Sequence, residues 1–471
     1  MTAPAIRRRA VDEAAVLRLR QDSTGAKAGF VSNPFLGVEW SIAYVAFCAY
    51  IFAIISYRLP IGSAGMVVAL LTLPLEKKAL RFPPITVLAF GLVGWALLGW
   101  TTTKYPSTVL DSVGEFAKMC AVLLVAMNVL TTRARFRAFI VFTTVVFCAY
   151  PLRGTMFAFF IYGGTVGGRA AWNYIYANPN DLAALCLLQL AVALGALAVE
   201  RRPWVKYGIR AGVGLLVLVI VLTQSRGAII GLAAFGIIGG RKYFRDARTI
   251  LTAVALGVMI VIIAPDSVWK RFATIENATK TDPSLLDPEL VDFTTRADQS
   301  SSEQRLAIWA VARTIVAENI FMGVGLGAYP EEHGIVSRRP NFDPSARGKR
   351  DTHSTYLNLL AEIGVPGFSL FAWMIILSLR ASYKARKLIE RKSPALALQM
   401  FNMEVGLYGY LVAAIWGSYG AIIATYLHLA LMNVGAYLIE QDADAGMNRM
   451  RGKKRIPAAP SVPTEQTGAV A

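Results

Sequence analysis

Charge is scarce in this chain. Of its 471 residues only 17% are Asp, Glu, Lys or Arg, against roughly a quarter in ordinary soluble domains. Histidine occurs three times, and the four cysteines, Cys48, Cys120, Cys148 and Cys186, each lie in an apolar stretch. None has metal-ligand spacing or a partner in a long loop, so neither a disulfide framework nor a zinc site is implied. The sequence has no Walker A lysine loop, no zinc-binding histidine pair and no Gly-x-Ser-x-Gly. Its Asp-x-Asp, Asp442-Ala443-Asp444, falls in a polar tail. These absences argue against a nucleotide-sugar, metal-dependent mechanism and imply neither metal nor cofactor. Arg7-Arg8-Arg9 is followed by polar sequence to about Gly29, so the short apolar core of a cleavable signal peptide is missing.

What is abundant is apolar sequence: 55% of residues are hydrophobic, and the mean hydropathy is +0.49. Continuous runs such as Gly212–Thr223 and Ile250–Ala264 exclude a disordered chain and also a β-barrel, whose strands alternate in polarity. The fold class expected is an all-α polytopic membrane protein. At about 20 residues per span, about twelve spans are expected, at 38–57, 60–76, 84–102, 113–130, 138–162, 181–199, 208–223, 226–240, 249–264, 355–379, 403–420 and 421–439. Segment 226–240 is interrupted by Gly227, Gly231 and Gly236. The organisation expected is a cytoplasmic segment 1–37, spans one to nine over 38–264, a large periplasmic loop 265–354, spans ten to twelve over 355–439 and a disordered cytoplasmic tail 440–471.

The net charge of +18 could suggest nucleic acid, but in a membrane protein basic residues collect in cytoplasmic loops. With the N-terminus inside, the inner short loops hold twenty Lys and Arg, in the groups 77–81, 133–137, 201–210, 241–248 and 380–392. The outer short connections hold four: Arg58, Lys104, Arg169 and Arg226. That split places both termini in the cytoplasm and assigns the chain no nucleic-acid partner.

The outer stretch 265–354 is too long for a plain loop and is expected to be functional. Asn277–Asp298 reads as irregular. Ser301-Ser302-Glu303-Gln304 offers a capping box with Ser301 as N-cap, and Leu306, Trp309, Ala312 and Ile315 predict an amphipathic helix over 302–318. Phe321–Gly327 is a glycine-rich turn, and Arg338–Arg350 a basic loop.

Several residues in this framework could carry chemistry. Arg226, in Thr223-Gln224-Ser225-Arg226-Gly227, sits between two apolar runs. It reads either as a side chain snorkelling to the headgroups or as a fixed cation for a bound anion, a guanidinium fork suiting phosphate. Arg305 and Trp309 share a helix face and read as a second anion contact or as an interfacial pair. His353, in Thr352-His353-Ser354-Thr355-Tyr356, is either a helix cap or a general base for a hydroxyl acceptor. Asn178-Pro179-Asn180-Asp181 opens the sixth span as a cap that could also face phosphate. Asp111, Glu115 and Lys118 are spaced to neutralise one another. His428, inside the last span, reads as satisfied by Tyr426 or Asn433.

Gln224-Ser225-Arg226-Gly227, the loop with Arg305 and Trp309, Gly323-Val324-Gly325-Leu326-Gly327 and the run from His353 to Gly367 together resemble the O-antigen ligase and O-antigen polymerase superfamily of bacterial membrane glycosyltransferases. Asn178-Pro179-Asn180-Asp181 resembles a recurrent segment of that family. The resemblance implies an undecaprenyl-pyrophosphate-linked glycan donor and an acceptor hydroxyl on a glycan or lipid A-core. It implies inverting transfer without metal on the periplasmic face of the bacterial inner membrane. It also implies that Arg226 and Arg305 bind pyrophosphate and that His353 serves the acceptor. Gln224, Ser225, Trp309, Asn180 and Tyr356 are expected as further substrate contacts. Polymerisation of lipid-linked repeat units is the alternative, and transport of lipid-linked sugars is the alternative of another class. Against transport stands the clustering of the candidate polar groups on one side.

Overall fold

A computed structural model describes residues 37–57, 62–76, 79–163, 165–243, 251 and 293–454. The chain is mostly helical. Helices α1 (Ile42–Ser56), α2 (Gly62–Thr72), α3 (Pro84–Gly99), α4 (Pro106–Val129), α5 (Arg133–Phe147) and α6 (Arg153–Phe160) come first. A small hairpin, β1 (Thr165–Val166) with β2 (Arg169–Ala170), precedes α7 (Pro179–Val199), α8 (Pro203–Leu222) and α9 (Arg226–Tyr243). Then follow α10 (Phe293–Glu318), α11 (Tyr329–Val336), α12 (Thr355–Ile389), α13 (Pro394–Ala413) and α14 (Ile423–Lys454). Five of these helices begin on proline (Pro84, Pro106, Pro179, Pro203 and Pro394). Proline's fixed φ suits a first turn, whose N–H groups have no helical partner.

Five described helical segments are long and apolar enough to cross a membrane: Arg133–Phe160, Pro179–Val199, Pro203–Leu222, Thr355–Ile389 and Ile423–Ala443. Ile42–Ser56, Gly62–Leu75, Pro84–Gly99 and Arg226–Gly240 are shorter apolar helices. The first of the five is continuous because a π turn at Cys148–Leu152 carries Pro151 between α5 and α6. Helix α7 is buried along most of its length and packs on α13, where a Cβ on Gly406 would lie 2.1 Å from that of Ala191. Helix α9 meets α13 the same way, a Cβ on Gly231 reaching within 2.5 Å of the Gly409 carbonyl. The glycines that interrupt 226–240 in sequence therefore include a packing contact of the small-residue kind that holds apolar helices together.

Several of the basic residues counted for the inner loops of the expected topology are not merely solvated. Arg135 is buried against Glu76 at 3.0 Å, Arg202 against Glu200 at 2.8 Å and Arg386 against Glu404 at 3.1 Å. Losing one partner of such a pair leaves an uncompensated charge, which typically costs about 3–5 kcal/mol.

The structure shifts four expectations. Helix α10 starts at Phe293, not 302, so Asp298 and Ser301 lie inside it and no capping box opens it. Residues 293–300 contain no proline or glycine to stop the helix from extending backward. The span expected at 403–420 is α13, Pro394–Ala413, which gives way to a 3-10 turn at Ala414–Trp416 before Gly417. The span expected at 355–379 continues to Ile389, and the last helix runs to Lys454, so the chain after 440 is not disordered throughout. The expected segment 1–36, span 249–264 apart from Leu251, stretch 277–292 and residues 455–471 lie outside the described residues.

Candidate functional site

The connection between α8 and α9 is three residues long. Thr223 ends α8, Gln224 takes the left-handed conformation (φ 51°) and Ser225 leads into α9, whose first residue is Arg226. A turn this tight fixes Arg226 at the helix N-terminus, where backbone N–H groups and the helix dipole favour an anion. The β1–β2 hairpin lies against this turn. Its Gly167-Gly168 corner has φ values of 58° and 74°, as a two-residue hairpin turn requires. The hairpin delivers Arg169, whose Nε donates to the Thr223 carbonyl at 2.8 Å and whose terminal nitrogen donates to Asn180 Oδ1 at 2.6 Å. The Gln224 amide donates to the Gly168 carbonyl at 3.2 Å.

These elements enclose a small pocket of about 50 Å³ lined by Arg169, Arg226 and Arg305 together with Asn180, Gln224 and Ser225. Trp416 and Tyr419 also line it, and among the described residues no carboxylate does. Tyr419 is buried, and its hydroxyl donates to the Asn180 carbonyl at 3.1 Å. Burial above all pushes that phenol well above its ordinary pKa, so it remains a donor. Three guanidiniums in one cleft are suited to a group with several anionic oxygens.

His353 stands beside this pocket on the segment that leads into α12. Its backbone is left-handed (φ 49°), uncommon for a residue other than glycine. The segment is pinned on both sides. Trp309 donates its indole N–H to the Thr352 carbonyl at 2.8 Å, and the Thr352 hydroxyl donates to the Ser354 carbonyl at 3.0 Å. His353 Nδ1 lies 3.5 Å from Asp351 Oδ2, while Asp351 Oδ1 accepts from Ser418 at 2.8 Å. The carboxylate on the Nδ1 side favours the tautomer with its proton there, which leaves Nε2 as the base. Burial pulls the imidazole below its ordinary pKa; Asp351 opposes this, and Arg305 and Arg350 reinforce it. The ring is therefore neutral at neutral pH and can take up a proton.

Gly323-Val324-Gly325-Leu326-Gly327 is structural. Val324 N–H donates to the Ala361 carbonyl at 2.8 Å, Gly325 N–H to the Glu362 carbonyl at 2.9 Å and Val365 N–H to the Ile320 carbonyl at 2.8 Å. This pairing requires α12 to break at Gly364, whose φ of 65° and ψ of −175° are non-helical. A Cβ there would sit 2.1 Å from the Phe321 carbonyl oxygen. These hydrogen bonds thus clamp residues 320–325 onto α12.

The structure brings Arg226, Arg305, Gln224, Ser225 and Asn180 to one pocket; His353 does not line it but lies within electrostatic reach of Arg305. Asn180 supports Arg169, and Trp309 holds the His353 segment. Tyr356 donates its hydroxyl to the Leu411 carbonyl at 2.7 Å and does not line the pocket. Sequence reasoning misses Arg169 as a site residue; the signal is the Gly-Gly hairpin corner immediately before it. His333 is buried, with Nδ1 2.8 Å from the Gly348 carbonyl, and burial lowers its pKa.

Residues 211–372 match the family model for O-antigen ligase, in line with the resemblance carried by the sequence motifs. That segment contains Arg226, Arg305 and His353, whereas Arg169 and Asn180 precede it. Comparison with functionally curated proteins returned no match.

Proposed function

We propose, from the premise that residues 211–372 belong to the O-antigen ligase family, that this chain is a membrane glycosyltransferase acting on a lipid-linked glycan. The donor would be a glycan on undecaprenyl pyrophosphate, and the acceptor a hydroxyl of a glycan or lipid A-core. The observation that carries this reading is the convergence of Arg169, Arg226 and Arg305 in one pocket, with a neutral His353 in electrostatic reach of Arg305.

In this reading His353 Nε2 takes the proton of the acceptor hydroxyl as its oxygen attacks the anomeric carbon. The bond from that carbon to the phosphate oxygen breaks, and its electron pair leaves with the pyrophosphate. Direct attack inverts the anomeric centre. The guanidiniums offset the charge that grows on the leaving group, which is the electrostatic role expected of fixed donors at a developing anion. They supply this positive charge themselves, so transfer should continue in excess chelator.

The positive-inside count favours a site on the periplasmic face of an inner membrane, with both termini cytoplasmic. Cysteines at the exposed positions Arg338 and Lys387 test this in intact cells. An impermeant thiol reagent should label the first and spare the second; labelling of Lys387→Cys alone would reverse the orientation. The function is tested with purified protein, lipid-linked glycan and acceptor in the presence of chelator. Loss of transfer, restored by a divalent ion, would overturn the mechanism. The glycans of a deletion strain separate ligase from polymerase. Accumulated lipid-linked polymer marks a ligase, and accumulated single repeats mark a polymerase.

A further inference from the structure

A second, larger cavity of about 840 Å³ opens among α1, α4, α5, α7, α12 and α14. It shares a wall with the arginine pocket, since Ser418 faces the cavity while Trp416 and Tyr419 face the pocket. Among the described residues four carboxylates line it, Asp111, Glu115, Asp351 and Glu362, and no lysine or arginine does. Asp111 and Glu115 are exposed; Glu115 meets Lys118 at 2.5 Å, whereas Asp111 forms no ion pair among the described residues. Glu362 is buried and accepts backbone N–H groups of Gly327 and Tyr329 and the Asn358 amide. The described residues hold no group of three or more His, Cys, Asp or Glu arranged for a metal ion. These carboxylates are spread along a wall, as hydrogen-bond acceptors would be.

His428 supplies an independent observation. Its ring is 2% exposed and lines the cavity. Nε2 lies 3.0 Å from the Met403 carbonyl, which can only accept, so the ring proton is on Nε2. Nδ1 is then a buried acceptor, and it has no partner among the described residues. Neither Tyr426 nor Asn433 satisfies it: Tyr426 donates to the Gly420 carbonyl and Asn433 to Ser378 and the Leu429 carbonyl. A buried acceptor without a donor calls for an explanation, and a ligand O–H or N–H reaching into the cavity provides one. The remaining wall is chiefly aliphatic, with the rings of Tyr57, Phe116, Phe147 and Tyr176 set among Ile, Leu and Val side chains. Those rings suit the C–H faces of sugar rings, and the volume falls within the roughly 300–1,000 Å³ of pockets that enclose small ligands.

We propose that this cavity binds a neutral or amine-bearing glycan segment of the acceptor, with one donor on His428 Nδ1, and excludes phosphorylated or acidic sugars. The identification of the occupant as acceptor rests on the arginine pocket being the donor phosphate site. Two cavities of opposite charge sharing a wall beside His353 would sort the two substrates by charge before they meet.

The test is saturation-transfer NMR on the full chain in nanodiscs, with maltotriose, a glucosamine disaccharide and maltose 1-phosphate as probes. The two uncharged or cationic sugars should bind saturably, and the phosphate at least tenfold more weakly. Neutralising the exposed rim with Asp111→Asn and Glu115→Gln should narrow that difference several-fold, and His428→Leu should weaken maltotriose. Equal binding of all three probes to the unaltered protein, no saturable binding of any, or an unchanged preference after rim neutralisation would overturn the proposal. The rim variant decides even if His428→Leu fails to fold. Arg226→Lys and Arg305→Lys should leave sugar binding unchanged while transfer falls. If transfer instead survives them, the donor reading fails and the cavity's selectivity stands on its own measurement.

Discussion

The arginine pocket and the carboxylate cavity share the 416–419 wall and differ in almost every property. One is about 50 Å³ and lined by three guanidiniums; the other is about 840 Å³ and lined by four carboxylates. Among the described residues, neither is lined by a side chain of the opposite charge. A net charge of +18 conveys nothing of this division, because the whole-chain sum averages over surfaces that face different molecules. The local field is set by which side chains share a cavity. His353 sits where the two fields meet, with Asp351 of the cavity raising its proton affinity and Arg305 of the pocket lowering it.

The largest effect expected is from the residue between the two. His353→Ala should reduce transfer on the order of 10²–10⁴-fold, the usual worth of a general base, while binding of the lipid-linked donor persists. A wild-type rate in a purified transfer assay would remove His353 from the mechanism. Next come Arg226→Lys and Arg305→Lys, which keep the charge and lose the planar fork. A loss on the order of a hundredfold in kcat/KM is expected for each, comparable to removing one fixed donor at a developing anion. Full activity in both would show that point charge suffices and that the pocket's geometry is incidental.

The pH profile sharpens the comparison further. Burial lowers the His353 pKa, so the neutral, active form dominates above that lowered value and activity is lost as pH falls through it. Asp351 is the opposing influence that raises it. Asp351→Asn should therefore move the acidic limb of the rate profile to still lower pH, apart from any change in maximal rate. A limb that stays in place would mean that the carboxylate does not act on this ring. The smallest effect is expected from Trp309→Phe, which deletes one hydrogen bond to the Thr352 carbonyl. A typical bond of this kind contributes about 0.5–1.5 kcal/mol. A modest fall in kcat with unchanged donor binding is expected, and an unchanged kcat would place Trp309 in the scaffold only.

Much of the site is legible in the amino-acid sequence, because its motifs sit at boundaries that hydropathy marks clearly. Arg226 stands out as a charge between two apolar runs, and His353 as one of three histidines where polar sequence turns apolar. Arg169 does not stand out, since one arginine in a short loop resembles any other until the hairpin lays it against Thr223 and Asn180. Tyr356 stands apart from the pocket. It lies three residues after His353, yet its hydroxyl donates to the Leu411 carbonyl, because the left-handed backbone at His353 turns the chain before α12 begins at Thr355. Ser301 looks like a cap because Ser, Thr, Asp and Asn are favoured there, but capping preference is local and the helix has no breaker upstream of it.

The sequence by itself determined that this chain is helical and apolar, where its longest polar stretch falls, and which family motifs it carries. Those properties follow from hydropathy and spacing, which act within one or two turns of chain. The tertiary structure alone decided that Arg169, Arg226 and Arg305 would share a pocket, that the glycines of 323–327 would clamp α12 at Gly364, and that His428 would face a carboxylate-lined cavity. Each of these joins residues far apart in the chain, and only the packing of helices against one another brings them within reach.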